Sequence, residues 1–159
     1  MATVEVSFTA LPAHVRTARL VALAVARRAG VDEQQLDEVR LAVGEACSRA
    51  VGVHQTHAPD AAVRMRLTDA QDRFVVEVVD CGPLDESFGG ADLDDLDTDA
   101  LSAPAAGGGS DPIPDLLPAG FGLAVISGLV EDVEVTSDSA GTHVRMTWSA
   151  TDIMAPDTL

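Results

Sequence analysis

Gly44-Glu45-Ala46-Cys47-Ser48-Arg49-Ala50-Val51 is the stretch on which the reading of this chain turns. It lies within an apolar series, Leu36, Val39, Val43, Ala46 with Cys47, then Ala50, whose steps of three and four residues make one face of a core helix. Glu45 and Arg49 are four residues apart, so both project from the same side of that helix, offset from its buried stripe, where they can look into a cleft. Taken alone they also fit an ordinary i,i+4 surface ion pair.

Upstream, Val4, Val6 and Phe8 alternate with Glu5 and Ser7, the period of a half-buried strand. Pro12 then opens a helix over 12–29 that Gly30 stops. Asp32 with Gln35 three residues on forms a capping box for the second helix, expected over 32–53, with His54, Gln55, Thr56, His57 and Pro59 as its exit loop. Downstream, 62–68 and 73–80 read as a hairpin around the turn Asp69-Ala70-Gln71-Asp72. From 85 to 119 the chain becomes rich in Asp, Gly and Pro, a composition that cannot bury enough apolar surface to offset ordering entropy, and it reads as a mobile lid inside one domain of residues 1–150. A third helix is expected from Phe121 or Gly122 to Leu129. A second hairpin follows, with strands near 133–136 and 143–148 around Asp138-Ser139-Ala140-Gly141, and then a frayed tail over 151–159. The expected fold class is α+β: a two-layer sandwich of a mixed, mostly antiparallel sheet with helices on one face.

With 10 basic and 26 acidic side chains, the formal charge of the 159-residue chain is −16. Such a surface disfavours a nucleic-acid backbone or an anionic membrane as partner and suits a basic protein. No apolar run reaches membrane-spanning length and no signal-peptide plan opens the chain, so a cytoplasmic location is expected. Cys47 and Cys81 stand apart without metal-ligand or disulfide spacing, and read as packing residues. Lys, Tyr and Asn are all missing from the sequence.

Three punctuated sites follow the focal helix: Asp80-Cys81-Gly82, Gly120-Phe121-Gly122-Leu123 and Gly141-Thr142. An acidic helix residue, an acid-x-glycine turn, a glycine-x-glycine helix start and a closing Gly-Thr, in this order, are the parts of a nucleotide cleft. The order resembles the ATPase domain shared by gyrase-type ATPases and histidine kinases, and within it the small anti-sigma-factor serine kinases, over nearly the whole chain. Residues 45–51 look like that family's N-box, Asp80-Cys81-Gly82 like its first glycine box and Gly120-Phe121-Gly122-Leu123 like its second. The resemblance implies that Asp80 accepts a hydrogen bond from an adenine amino group, with Gly82 beside it, and that Thr142 helps hold the same edge. It implies that Gly120, Gly122 and Leu123 bring backbone N–H groups to the phosphates at a helix N-terminus. Glu45 would be the general base that deprotonates an incoming serine hydroxyl.

Arg49 departs from the family, which places Asn there as an oxygen ligand to the Mg²⁺ on the nucleotide phosphates. Arginine carries five donors and no acceptor, so it cannot replace that ligand. Leu84, where the family often has a further glycine or proline, and His54, one residue later than the family's usual His, are lesser departures. The implied ligand is ATP or ADP, with no side-chain ligand for Mg²⁺ at this position and no other metal site. Three readings follow: an anti-sigma factor with weakened or lost kinase activity, an active ATP-dependent serine kinase acting on an anti-anti-sigma factor, and a nucleotide or metabolite sensor in which Arg49 supplies the phosphate counter-charge. The chain looks close to actinobacterial anti-sigma factors. The implied partners are an alternative sigma factor, an anti-anti-sigma factor and a second copy in a homodimer, with no direct nucleic-acid or membrane contact.

Overall fold

The computed structural model describes residues 1–82 and 122–151, with the backbone alone over 122–125. The expected lid at 85–119, Gly120 of the second glycine box and the tail beyond Thr151 lie outside the described residues. Five strands, β1 (Ala2–Phe8), β2 (Val63–Asp69), β3 (Arg73–Asp80), β4 (Asp132–Asp138) and β5 (Gly141–Ser149), form a single sheet in the order β1-β2-β3-β5-β4. Where a mixed sheet with antiparallel pairs dominant was expected, all four neighbouring pairs are antiparallel. Helices α1 (Pro12–Ala29), α2 (Leu36–His57) and α3 (Gly122–Leu129) complete the described elements, with α2 packed against both other helices.

Alternation along the strands sorts the sheet into two faces. Val63, Met65 and Leu67 of β2, Phe74, Val76 and Val78 of β3 and Val144, Met146 and Trp148 of β5 are buried and join the helices in one apolar cluster. Trp148 packs on Phe74 with ring centroids 6.0 Å apart, and its indole N–H donates to the Leu129 carbonyl at the end of α3. On α1 the buried stripe is mostly alanine, Ala18, Ala22, Ala26 and Ala29, and α2 supplies Ala42, Ala46 and Ala50. Small side chains let two helices approach closely at little cost in side-chain entropy. The outer face carries a row of alternating charge, Glu5, Arg66, Glu77, Arg145 and Glu134, in register across all five strands. Arg66 donates to Glu5 at 2.9 Å, the kind of cross-strand pair that keeps an open sheet face solvated and in register.

Two local expectations change. The capping box does not close: Asp32 accepts from the Gln34 N–H at 2.8 Å and caps a 3-10 turn over Glu33–Gln35, while the Gln35 amide donates at 2.9 Å to Glu131, between α3 and β4. The helix proper begins at Leu36 and runs to His57, so His54 is a buried helical residue and not part of an exit loop. Gly30 ends α1 in the left-handed region, as its place after the last apolar position implied. In the first hairpin Gln71, with a φ of 65°, takes the turn position usually given to glycine or asparagine. Among the described residues no helix is long and apolar enough to cross a membrane.

Candidate functional site

The end of β3, the start of β5 and the last turns of α2 meet at Asp80. Antiparallel register sets Asp80 opposite Thr142, so the acid-x-glycine turn and the Gly-Thr hairpin start are neighbours by sheet geometry. The Asp80 carboxylate is almost wholly buried: Oδ1 accepts the Gly82 N–H at 2.8 Å, and Oδ2 accepts from Nη1 of Arg49 at 2.5 Å. Thr142, fully buried, donates its hydroxyl to the Gly82 carbonyl at 3.1 Å. Four of the expected site residues, Arg49, Asp80, Gly82 and Thr142, are therefore joined in one hydrogen-bonded group.

Glycine is required here for space. Gly141 has a φ of 139°, and a Cβ on it would run into the carbonyl oxygen of Asp80 itself. A Cβ on Gly82 would meet Val53 of α2. We expect Gly141→Ala to cost about 2 kcal/mol through backbone strain and to displace Asp80. A circular-dichroism melt indistinguishable from the parent chain would contradict that.

His54, which sequence pattern places in the exit loop of α2, is a site residue. Its Nδ1 sits 2.8 Å from the Ala61 carbonyl and its Nε2 accepts the Cys81 N–H at 2.9 Å, so the ring is the neutral Nδ1–H tautomer. It ties the end of α2 to the turn that carries Asp80. The signal was present in its spacing after the N-box-like stretch, but the stretch of polar residues that follows it obscured the helix.

Glu45 lies one helical turn before Arg49 and is half-buried. Burial pushes its carboxyl above the ordinary range, and the guanidinium of Arg19 on α1 offsets part of that rise. Arg19 crosses α2 over Gly44, whose missing side chain leaves room for it. The same burial, again partly offset by Arg19, pushes the neighbouring Cys47 thiol up to about 12, so Cys47 is the inert packing residue expected. Because the folded Glu45 binds its proton more readily than the unfolded residue, its ionised form opposes folding above the folded pKa, and that cost vanishes below the unfolded one. Glu45→Gln is therefore expected to raise the melting temperature at pH 7 to 8 and to leave it unchanged near pH 3. A gain that persisted at pH 3 would assign it to packing.

The rival reading of Glu45 and Arg49 as a simple surface pair misses where the guanidinium goes. Its partner is Asp80, 31 residues along the chain, across the gap between helix and sheet. Gly122 is the first residue of α3 and Leu123 the second, while Gly120 lies outside the described residues, as does the Leu123 side chain. At the position where a magnesium ligand is implied, the guanidinium offers only donors, so a divalent cation does not fit there.

Residues 8–148 match the family model described as the histidine kinase-like ATPase domain. A serine-protein kinase RsbW from Halalkalibacterium halodurans is 33% identical over 147 residues, covering 91% of this chain and 82% of that protein. The serine-protein kinase RsbW of Bacillus subtilis is 31% identical over 144 residues, covering 91% of this chain and 83% of its own. Among solved structures, that of the RsbU and RsbW domains of Rv1364c from Mycobacterium tuberculosis superposes with a TM-score of 0.59 at 15% identity, covering 92% of this chain and 32% of that one, which is a likeness of fold. The chain thus belongs to the histidine kinase-like ATPase domain family, in which the proteins similar to it over most of its length include those named serine-protein kinase RsbW.

Proposed function

We propose that this protein is an anti-sigma factor that sequesters an alternative sigma factor, is countered by an anti-anti-sigma protein, and has lost most of its kinase activity. Kinship with RsbW-type serine-protein kinases supports the partner-switching role. The observation that supports loss of activity is the Arg49–Asp80 ion pair. One substitution places a cation where the family's metal ligand belongs, and the same cation holds the carboxylate assigned to the adenine amino group. Phosphoryl transfer depends on positioning and on neutralising phosphate charge with a bound metal, and a side chain with donors only at position 49 leaves that metal without its usual oxygen ligand and the phosphates without their usual clamp.

The retained features support a binding role. Asp80, Gly82 and Thr142 keep the base end of a nucleotide cleft in shape, and Glu45 keeps the raised basicity that suits a general base. That last point favours the second reading, an active serine kinase. The two are separated by incubating the protein with an anti-anti-sigma partner, ATP and magnesium, and following phosphoserine. The proposal expects none above background, whereas brisk magnesium-dependent transfer would restore the active kinase. A homodimer in the cytoplasm completes the proposal and is tested by sedimentation of the free protein.

Nine of the 26 acidic residues fall between 83 and 121, and among the described residues Asp37, Asp132, Glu134 and Asp138 are exposed. Helix α1 has no acidic residue and carries Arg16, Arg19, Arg27 and Arg28. Charge of one sign over a broad surface accelerates encounter with a basic partner, and salt screens it beyond roughly 8 Å at physiological strength. The association rate with the sigma factor is expected to fall about tenfold between 50 and 500 mM salt. A flat rate would reduce the charge to a solubility device.

A further inference from the structure

We propose that Arg49 is an internal competitor for the base end of the cleft, holding the Asp80 carboxylate in the nucleotide-free protein so that a nucleotide binds only when the guanidinium leaves. The inference rests on Asp80 being the carboxylate that reads an adenine amino group, and goes beyond the loss of a metal ligand, because it assigns Arg49 an effect that needs no metal.

Asp80 is built to accept. Its carboxylate is 2% exposed, Oδ1 is satisfied by the Gly82 N–H of its own turn, and Oδ2 is left to face the gap between α2 and the sheet. An exocyclic amino group entering that gap would donate to the oxygen that Arg49 already occupies. Arg49 reaches it from α2 with its side chain 15% exposed, so the contact lies beneath the surface, where a charge-assisted bond is strong and little screened. The arrangement around it is rigid. Gly141 is pressed against the Asp80 backbone, Thr142 holds the Gly82 carbonyl and His54 holds the Cys81 N–H, so the carboxylate cannot turn to offer a different oxygen without dismantling the turn. The partner with rotatable bonds to spare is the arginine, whose side chain can leave by changing rotamer while the turn stays intact. The bound and self-paired states are therefore alternatives, and the apparent affinity for a nucleotide is the intrinsic one multiplied by the fraction of molecules in which Arg49 has left.

The three roles open to Arg49 make opposite predictions in the absence of metal. A missing metal ligand matters only when magnesium is present. A phosphate counter-charge loses affinity when removed, and an internal competitor gains it. The experiment is isothermal titration of the full chain with ATP and with ADP in EDTA, for the parent, Arg49→Gln and Arg49→Gln with Asp80→Asn, with circular dichroism to confirm that each is folded. Arg49→Gln is expected to bind about tenfold more tightly than the parent, corresponding to a guanidinium that holds Asp80 in nine molecules of ten. The added Asp80→Asn is expected to abolish that gain. Unchanged or weaker binding by Arg49→Gln, with binding still lost on Asp80→Asn, would overturn the competitor while leaving the nucleotide cleft in place. Absence of binding by every folded variant would overturn the reading of Asp80 and the competitor together. Should Arg49→Gln fail to fold, Arg49→Lys, which keeps the charge but lacks the planar fork, is expected to tighten binding by a smaller factor, and no change would count against the proposal.

Discussion

Arg49→Asn is expected to make nucleotide binding magnesium-dependent and to raise serine phosphorylation of an anti-anti-sigma protein by on the order of 10²- to 10³-fold over the parent chain, the range that one well-placed electrostatic group contributes in a transition state. The argument runs through charge. Removing the guanidinium takes a cation out of the cleft that a divalent ion must enter, and the amide oxygen supplies the acceptor that arginine lacks. The helix tolerates the exchange, since arginine and asparagine differ by under about 0.7 kcal/mol in helix propensity. Glu45 is untouched one turn away, with its raised basicity intact. The parent's nucleotide binding should be indifferent to EDTA, and sigma-factor binding should survive in the variant, because inhibition on this reading needs the surface and not the chemistry. The check is a time course of phosphoserine with and without magnesium for both proteins. An Arg49→Asn protein as inactive as its parent would mean that the loss lies elsewhere in the cleft.

Most of the fold could be read in advance because its signals are local. The alternation Val63, Met65, Leu67 sets one face of β2, Pro12 and Gly30 bracket α1, and the same rules place both hairpins within a residue or two. What escaped depends on distant partners. Gln35 looked like half of a capping box because the sequence holds no sign that Glu131 would stand beside it. His54 was read as a loop residue because the polar run after it conceals a buried ring that accepts from one turn and donates to another. The site divides in the same way. Asp80, Gly82 and Thr142 are each marked by local pattern, and they come together through the register of β3 with β5, neighbours in the sheet although β4 lies between them in the chain. The direction of the Arg49 side chain was not legible. A helix places it one turn from Glu45, and only the packing of α2 across the sheet shows that Asp80 is nearer to its charge.

Asp80→Ala is expected to destabilise the protein by about 3–5 kcal/mol, the cost of leaving one member of a buried ion pair behind. In a domain of this size that corresponds to a fall in melting temperature of about 10 °C or more. Two effects are mixed in that figure: the Gly82 N–H loses its acceptor, and Arg49 loses a carboxylate while its side chain remains 85% buried. A second substitution separates them. Arg49→Leu in the Asp80→Ala background removes the guanidinium that has lost this carboxylate and replaces it with apolar groups, a replacement that is often neutral or better for buried pairs. The double variant is therefore expected to be more stable than Asp80→Ala alone, with a coupling of about 1–3 kcal/mol across the cycle. Arg49→Leu alone strands the carboxylate and should fall between the parent and Asp80→Ala, because the Gly82 N–H still serves Oδ1. Urea denaturation of the four proteins at pH 7 gives the cycle directly. A coupling near zero would mean that the guanidinium is solvated and that the pair orders the cleft without stabilising it. A large coupling would mean that the empty protein draws stability from the contact that a nucleotide must break, so that affinity for the ligand and stability of the free chain are set against each other at one residue.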